Sequence, residues 1–300
     1  MGWSGSLSAN SAVGSAITYT PDTTSEGGYN VVPFTAPKKG IYAFVVKGSG
    51  GTYTASDGVS AAGGIGGLTT GYLLLEANQT VYVGAGGTCS AAFVSKVTGS
   101  ALKNITKENL YFVAGAGGGG GANWGQQWGM KSGPGGDGGG TTGGTGWDPY
   151  GNRGGGSGGT QSSGYGYGHG GGGGYSNENN TSLHAGRGGD GFYGGKGAGG
   201  FNGGGGGSGY IHTDTLKVNT KTFTNSTQQG GGAGSNARGS VEVSYHARAE
   251  LPVIFNGTTL ERLFFNGAEV ESLIYNGVRL FMKKLRRWGR CLNSAEPVSA

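Results

Sequence analysis

Gly115-Ala116-Gly117-Gly118-Gly119-Gly120-Gly121 opens a stretch that closes with Gly203-Gly204-Gly205-Gly206-Gly207-Ser208-Gly209, and close to half of its residues are glycine. Glycine buries no side chain and loses more backbone freedom on ordering than any other residue, so this stretch cannot build an ordinary apolar core. Composition alone describes a disordered linker as readily as a folded unit. Two features favour folding. Aromatic residues fall singly or in pairs between the glycine runs, at Trp124, Trp128, Trp147, Tyr150, Tyr165, Tyr167, Tyr175, Phe192, Tyr193 and Phe201, and the stretch lies between strand-like segments. The ordered state that suits it is a bundle of polyproline-II-type runs, which lack internal hydrogen bonds and pack side by side so that each backbone satisfies its neighbours. The unbroken runs 117–121, 170–174 and 203–207 exclude collagen, whose glycine recurs strictly at every third position.

On the N-terminal side, residues 1–30 read as an arm with one edge strand. Strand signals follow at Val31-Val32-Pro33-Phe34, at Ile41-Tyr42-Ala43-Phe44-Val45-Val46-Lys47 after a Pro-Lys-Lys-Gly turn, at 68–75, at Thr80-Val81-Tyr82-Val83 and at Leu110-Tyr111-Phe112-Val113-Ala114. Beyond the glycines lie Tyr210-Ile211 and Ser240-Val241-Glu242-Val243-Ser244-Tyr245. Short strands separated by glycine corners predict an all-β fold, a β-sandwich or jelly roll over 31–114 and 210–247, with 115–209 inserted between its late strands.

The order Phe34-Thr-Ala-Pro-Lys-Lys-Gly-Ile-Tyr-Ala-Phe-Val-Val-Lys-Gly-Ser-Gly-Gly, then Asn78-Gln-Thr-Val-Tyr-Val-Gly-Ala-Gly-Gly, then Phe201-Asn-Gly-Gly-Gly-Gly-Gly-Ser-Gly-Tyr-Ile and Gly239-Ser-Val-Glu-Val-Ser-Tyr resembles the glycine-rich domain family. That family includes the glycine-rich region of the anaplastic lymphoma kinase receptor and many phage and prophage tail proteins, and the resemblance covers about 31–245. It implies a TNF-like jelly-roll sandwich carrying inserted polyglycine-II helices. The glycine stretch is also similar to the adhesins that cap the long tail fibres of T-even-like phages, in which loops between polyglycine helices contact the host receptor.

The C-terminal region is a different unit. Ile254-Phe255-Asn256-Gly257, Phe264-Phe265-Asn266-Gly267 and Ile274-Tyr275-Asn276-Gly277 recur at a period of ten. Asn-Gly between strand formers is a strong hairpin signal, because both turn positions take positive φ. Residues 251–282 therefore read as a β-hairpin repeat too small to stand alone, which must dock or oligomerise. Similar repeats close phage tail proteins. Residues 283–300, with Lys283, Lys284, Arg286, Arg287 and Arg290, read as a disordered basic tail, and this tail carries most of the formal charge of +5. The body is close to neutral, so no nucleic-acid partner is expected.

Motifs for chemistry fail on inspection. Gly194-Gly195-Lys196-Gly197 has Asp190 where a phosphate-binding loop begins with glycine, and Gly197 where it needs Ser or Thr. His169, His184, His212 and His246 show no zinc-type pairing, and Cys89 and Cys291 read as free thiols. No enzyme activity, metal or cofactor is expected. The N-terminus has no signal-peptide pattern and no stretch approaches a membrane span.

The leading expectation is a phage tail component that assembles in the host cytoplasm and recognises a host cell-surface receptor, a glycan or an outer-surface protein, in contact with other tail proteins and as a homo-oligomer such as a trimer. A purely structural spacer and a ligand-binding cell-surface module are the alternatives. Bundle sides must be glycine, so recognition should fall to the reversals at one end. These carry Asn123, Trp124, Gln127 and Trp128, then Trp147, Tyr150, Asn152 and Arg153, then Tyr165, Tyr167, His169 and Tyr175. Rigid aromatic rings with adaptable polar neighbours suit such contacts.

Overall fold

The computed structural model describes residues 2–23, 25–52, 61–123, 132–178, 181–212, 228–230 and 237–247, with the short pieces 253–255, 258–260, 264–265 and 268–269. Two compact units divide the chain, Met1–Ala249 and Glu250–Ala300. In the first, the strands are β1 (Ala16–Tyr19), β2 (Tyr29–Thr35), β3 (Gly40–Lys47), β4 (Gly67–Leu75), β5 (Thr80–Gly86), β6 (Ala92–Ser95) and β7 (Leu110–Ala114). These are followed by β8 (Ala122–Asn123), β9 (Tyr175–Glu178), β10 (Thr181–His184), β11 (Tyr210–Ile211), β12 (Gln228–Gly230) and β13 (Ser240–Ala247). Helix among the described residues is limited to two 3₁₀ turns, Leu102–Asn104 and Lys107–Asn109. The protein is all-β.

Two five-stranded antiparallel sheets run in the orders β1-β13-β3-β4-β12 and β11-β7-β6-β5-β2. Alternation creates the core between them. Tyr42, Phe44 and Val46 of β3 are fully buried while Ile41, Ala43 and Val45 are half-buried, the period-2 pattern of a strand with one covered face. Tyr42, Phe44, Leu73, Val241, Val243 and Tyr245 of one sheet pack with Phe34, Val81, Val83, Val94 and Phe112 of the other. The N-terminal arm adds Trp3, whose ring lies 5.6 Å from that of Tyr19 and 5.8 Å from that of Phe34. A second cluster covers the outer side of β6 and β7, where Phe93, Leu110 and Val113 meet Leu102 and Ile105 of the 3₁₀ crossover and Phe192 from the glycine stretch.

The glycine-rich segments form a three-dimensional hydrogen-bonded lattice. Segment 203–208 is at its centre. Its N–H groups donate with a three-residue period to three neighbours: Gly203 and Gly206 to Trp147 and Gly144, Gly204 and Gly207 to Gly119 and Ala116, Gly205 and Ser208 to Lys196 and Tyr193. Its carbonyls, with that of Phe201 just before it, accept from Gly133, Gly136 and Gly139, from Gly156 and Gly159, and, with that of Asn202, from Gly186, Gly189 and Phe192. Six segments thus surround it, and each is bonded to the next around the ring, as in Gly118 to Gly136, Gly144 to Asp137, Gly143 to Gly159, Lys196 to Ser157, Gly195 to Gly189 and Ala116 to Asp190. Backbones can approach this closely only without Cβ atoms. A methyl group on Gly205 would overlap the Ser157 carbonyl, and one on Gly206 the Asp137 carbonyl.

Two segments outside the predicted insertion join this lattice. Segments 48–52 and 61–67, read from sequence as glycine corners of the sandwich, pair with one another through Gly51 to Gly64 and with 115–121 through Gly117 to Ser49 and Gly64 to Gly118. The lattice therefore grows directly out of β3, β4 and β7. One buried ionic cluster ties it to the sheets. The Asp190 carboxylate accepts from Arg187 Nη2, Gly170 N and Tyr29 Oη, each at 2.8 Å, and Tyr29 Oη in turn accepts from Ala91 N at 3.0 Å. Burial raises the Asp190 carboxyl from its usual range, opposed by the Arg187 guanidinium and by these donors.

In the second unit, β14 (Val253–Phe255) pairs with β15 (Thr258–Leu260) and β16 (Phe264–Phe265) with β17 (Ala268–Glu269). The closing pairs Phe255↔Thr258 and Phe265↔Ala268 leave two residues each, Asn256-Gly257 and Asn266-Gly267, between paired strands. The third repeat and the basic tail lie outside the described residues.

Candidate functional site

Chain direction decides where each reversal falls. The sheets meet the lattice at one end, where Gly48, Gly67, Gly115 and Gly209 adjoin β3, β4, β7 and β11. At the opposite, far end Gly121 donates to Gly133, Gly203 to Trp147 and Gly186 to Asn202. Successive segments alternate in direction, so reversals fall alternately at the far and near ends.

The sequence-expected residues divide accordingly. Trp147, Tyr150, Asn152 and Arg153 form a far-end reversal. Asn123 and Tyr175 are also at the far end, on the outer strands of a small sheet ordered β8-β10-β9, in which His184 of β10 faces Ala122 on one side and Tyr175 on the other. Tyr165, Tyr167 and His169 are instead at the near end, so the expectation of a single binding end does not hold for them. Tyr167 donates from its hydroxyl to the Ile105 carbonyl at 2.7 Å and packs edge-on against Phe192 and Tyr193. It belongs to the second core cluster, and burial raises its phenol well above the usual value. Tyr165 remains 56% exposed with its ring edge-on to His169. Trp124, Gln127 and Trp128 lie outside the described residues.

The 147–153 reversal is built on Asp148, whose carboxylate accepts from Tyr150 N at 2.9 Å, from Asn152 N at 2.8 Å and from Asn152 Nδ2 at 3.1 Å. These bonds, led by the one from the Asn152 backbone, lower the Asp148 carboxyl below its usual range. The turn is thus held by an anion in a neutral chain, and it displays Tyr150 at 75% exposure beside Arg153, whose guanidinium carbon lies 5.2 Å from the centre of the Trp147 ring.

A cavity of about 340 Å³ opens on the flank of the lattice between segments 119–120, 172–174 and 184–187, with Glu26 and Thr52 completing its wall. Apart from the glycines of runs 117–121 and 170–174, none of its residues was singled out from sequence except His184, as an unpaired zinc candidate. The available signal was Arg187, which with Asp190 supplies the only charges in the run 185–191. Next to it Cys89 is fully buried at positive φ, within 3.4 Å of Thr52 N and Oγ1. Desolvation, and after it the Glu26 charge, push its thiol up to about 12. At pH 8 the thiolate fraction is then roughly a thousandfold below that of an ordinary thiol. Iodoacetamide at that pH is expected to leave Cys89 unmodified in the native protein and to label it fully after denaturation, as read by peptide mass; rapid native labelling would contradict this.

Among the described residues no group of three or more His, Cys, Asp or Glu could hold a metal ion, and no helix is long and apolar enough to cross a membrane. No protein-family model and no curated protein matches the chain.

Proposed function

We propose that the chain is a phage tail component in which a jelly-roll, TNF-like sandwich carries a polyglycine-II lattice, and that the far-end loops of the lattice recognise a receptor on the host cell surface. The observation that carries this reading is the display of Trp147, Tyr150 and Arg153 at the lattice end remote from the sheets. The three-residue hydrogen-bond period and the six-neighbour packing of segment 203–208 support the polyglycine-II description. A lattice bonded in three dimensions is stiff, which lowers the entropy cost of presenting a loop. Assembly as a homo-oligomer and with other tail proteins falls to the Asn-Gly repeats of 251–282. The site is receptor-binding and non-enzymatic in this reading, and its place is the virion.

The test replaces Trp147, Tyr150 and Arg153 together with serine and measures attachment to host cells alongside melting. Loss of the exposed Tyr150 and Arg153 and the half-buried Trp147 is expected to reduce attachment by tenfold or more, about 1.4 kcal/mol, with a much smaller effect on the melting temperature. Tyr167→Phe, from the near-end core, should do the reverse, lowering the melting temperature and sparing attachment. Attachment retained by the triple variant would favour the structural spacer instead.

A further inference from the structure

Among the described residues, the lattice position flanked by 49–52, 119–120 and 185–190 is only half filled, and the flank cavity occupies the rest of it. In segment 115–121 the N–H groups leave in three directions: 116 and 119 toward 187–190, 117 and 120 toward 49–52, 118 and 121 toward 133–136. The carbonyls leave in the three directions between these. Those of 116 and 119 accept from 207 and 204, and those of 115 and 118 from 67 and 64. The remaining direction, that of the Gly120 carbonyl, points to a lattice position flanked by 49–52, 119–120 and 185–190. Segment 185–191 agrees: its N–H groups at 186 and 189 reach 202 and 205, those at 185 and 188 reach 174 and 171, and the third direction takes Asp190 N to the Cys89 carbonyl. Thr88 and Cys89 therefore fill the near half of the position. Its far half is the cavity, and there Arg187 N–H and the Gly120 carbonyl have no partner among the described residues.

The wall adds the Thr52 hydroxyl, which donates to Glu26 Oε1 at 3.1 Å, and the exposed backbone of Gly172 and Gly173. Both donors and acceptors thus line a cavity without an aliphatic floor, Ala185 being its one apolar side chain. A charged ligand would use only one half of these groups. A sugar uses both, since each hydroxyl donates and accepts, and vicinal hydroxyls span a carboxylate such as Glu26. A glycine peptide could complete the lattice, but ordering it costs about 1–2 kcal/mol per residue against about 1 kcal/mol per hydrogen bond gained, whereas a sugar ring is already rigid.

We propose that this cavity binds one sugar unit of a surface glycan, held between Arg187 N–H, the Gly120 carbonyl, Thr52 and Glu26. The proposal rests on the receptor-recognition reading and assigns the ligand class at a second place, on the flank rather than at the far-end loops.

The test is a titration of the full chain with a panel of methyl hexosides, N-acetylhexosaminides and methyl pentosides, followed through the Arg187 and Gly173 amide resonances, with the peptide Gly-Gly-Gly-Ser-Gly-Gly as competitor. At least one glycoside is expected to shift both resonances saturably. Glu26→Ala, at an exposed rim residue, should weaken that binding about tenfold, the cost of a lost charged hydrogen bond. Gly119→Ala should abolish it, because the added methyl would stand 3.2 Å from Arg187 N and cover its N–H. Should Gly119→Ala fail to fold, Glu26→Ala decides alone. No shift with any glycoside, shifts indifferent to Glu26→Ala, or shifts with the peptide only would each overturn the proposal. Loss of host attachment in the Trp147, Tyr150 and Arg153 variant with glycoside binding intact, or the converse, separates failure at the loops from failure here.

Discussion

Gly206→Ala is expected to destabilise the protein by about 3 kcal/mol or more, the upper end of the overpacking range, while Gly199→Ala leaves stability unchanged or slightly improved. Both are the same chemical change in the same glycine-rich stretch. At Gly206 an added methyl would overlap the Asp137 carbonyl with Gly138 N behind it, and both are backbone atoms held in the ring around segment 203–208. No rotamer can relieve that overlap, so segments must separate and hydrogen bonds must break. At Gly199 a methyl meets nothing within 4 Å, and alanine only narrows the unfolded ensemble. Urea denaturation of the two variants, with amide exchange over 133–139 and 203–209, measures the contrast. Equal stabilities would show that the lattice is not folded in solution, and with it the rigid presentation of the far-end loops would be lost.

The same contrast marks what the sequence could convey. The strands of the sandwich were legible because their signal is local: Ile41 to Val46 is a short apolar run of β-branched and aromatic residues behind a Pro-Lys-Lys-Gly turn, and it forms β3. Lattice membership was not, because a glycine carries no side-chain signal for which other glycine it will bond. Gly51 and Gly64 read as corners between strands, yet they are lattice partners whose place is fixed by long-range register with 115–121. The Asn-Gly hairpins stand between, with a local turn signal and strand pairs that close on Phe255↔Thr258 and Phe265↔Ala268.

The candidate site was legible in kind and misplaced in part. That recognition-sized side chains sit at reversals follows from composition, and Trp147, Tyr150, Asn152 and Arg153 are at one. Tyr165, Tyr167 and His169 were grouped with them although they belong to the next reversal, which the alternation of the lattice puts at the opposite end. Counting passes would have separated them: 115–121 runs outward, 132–139 back, 143–147 outward and 154–159 back, which returns the chain to the sheets before Tyr165. Arg187 and the flank cavity carried no such rule, since an unfilled lattice position is visible only once every other position has been assigned.

Asp190→Ala is expected to cost about 3–5 kcal/mol, the range for breaking a buried ion pair by removing one partner. Lattice segments are held mostly by neutral backbone bonds repeating every three residues, with a few side-chain contacts such as that of Asp137 Oδ1, which accepts from Ile65 N at 2.9 Å, so a segment displaced by one repeat would recover most of its bonds. Asp190 is the buried side chain that distinguishes the correct register of segment 185–191. Its carboxylate, 2% exposed, meets Arg187 on its own segment, Gly170 on the adjacent one and Tyr29 on β2, and a shifted segment would keep the first and lose the other two. Removing it strands a guanidinium whose Nη1 is already buried without a partner. Tyr29→Phe loses the bonds to Asp190 and Ala91 N but strands less charge, and about 1–2 kcal/mol is expected. Asp190→Asn, which keeps the shape and gives up the charge, should fall between them. Urea midpoints at constant slope give the order, and a double-mutant cycle between Tyr29→Phe and Asp190→Asn should return a coupling of about 1 kcal/mol if the two act through their shared bond. Additive effects, or an Asp190→Ala variant as stable as the parent, would mean that register is set elsewhere, by the strands that lead into the lattice at Gly48, Gly67 and Gly115.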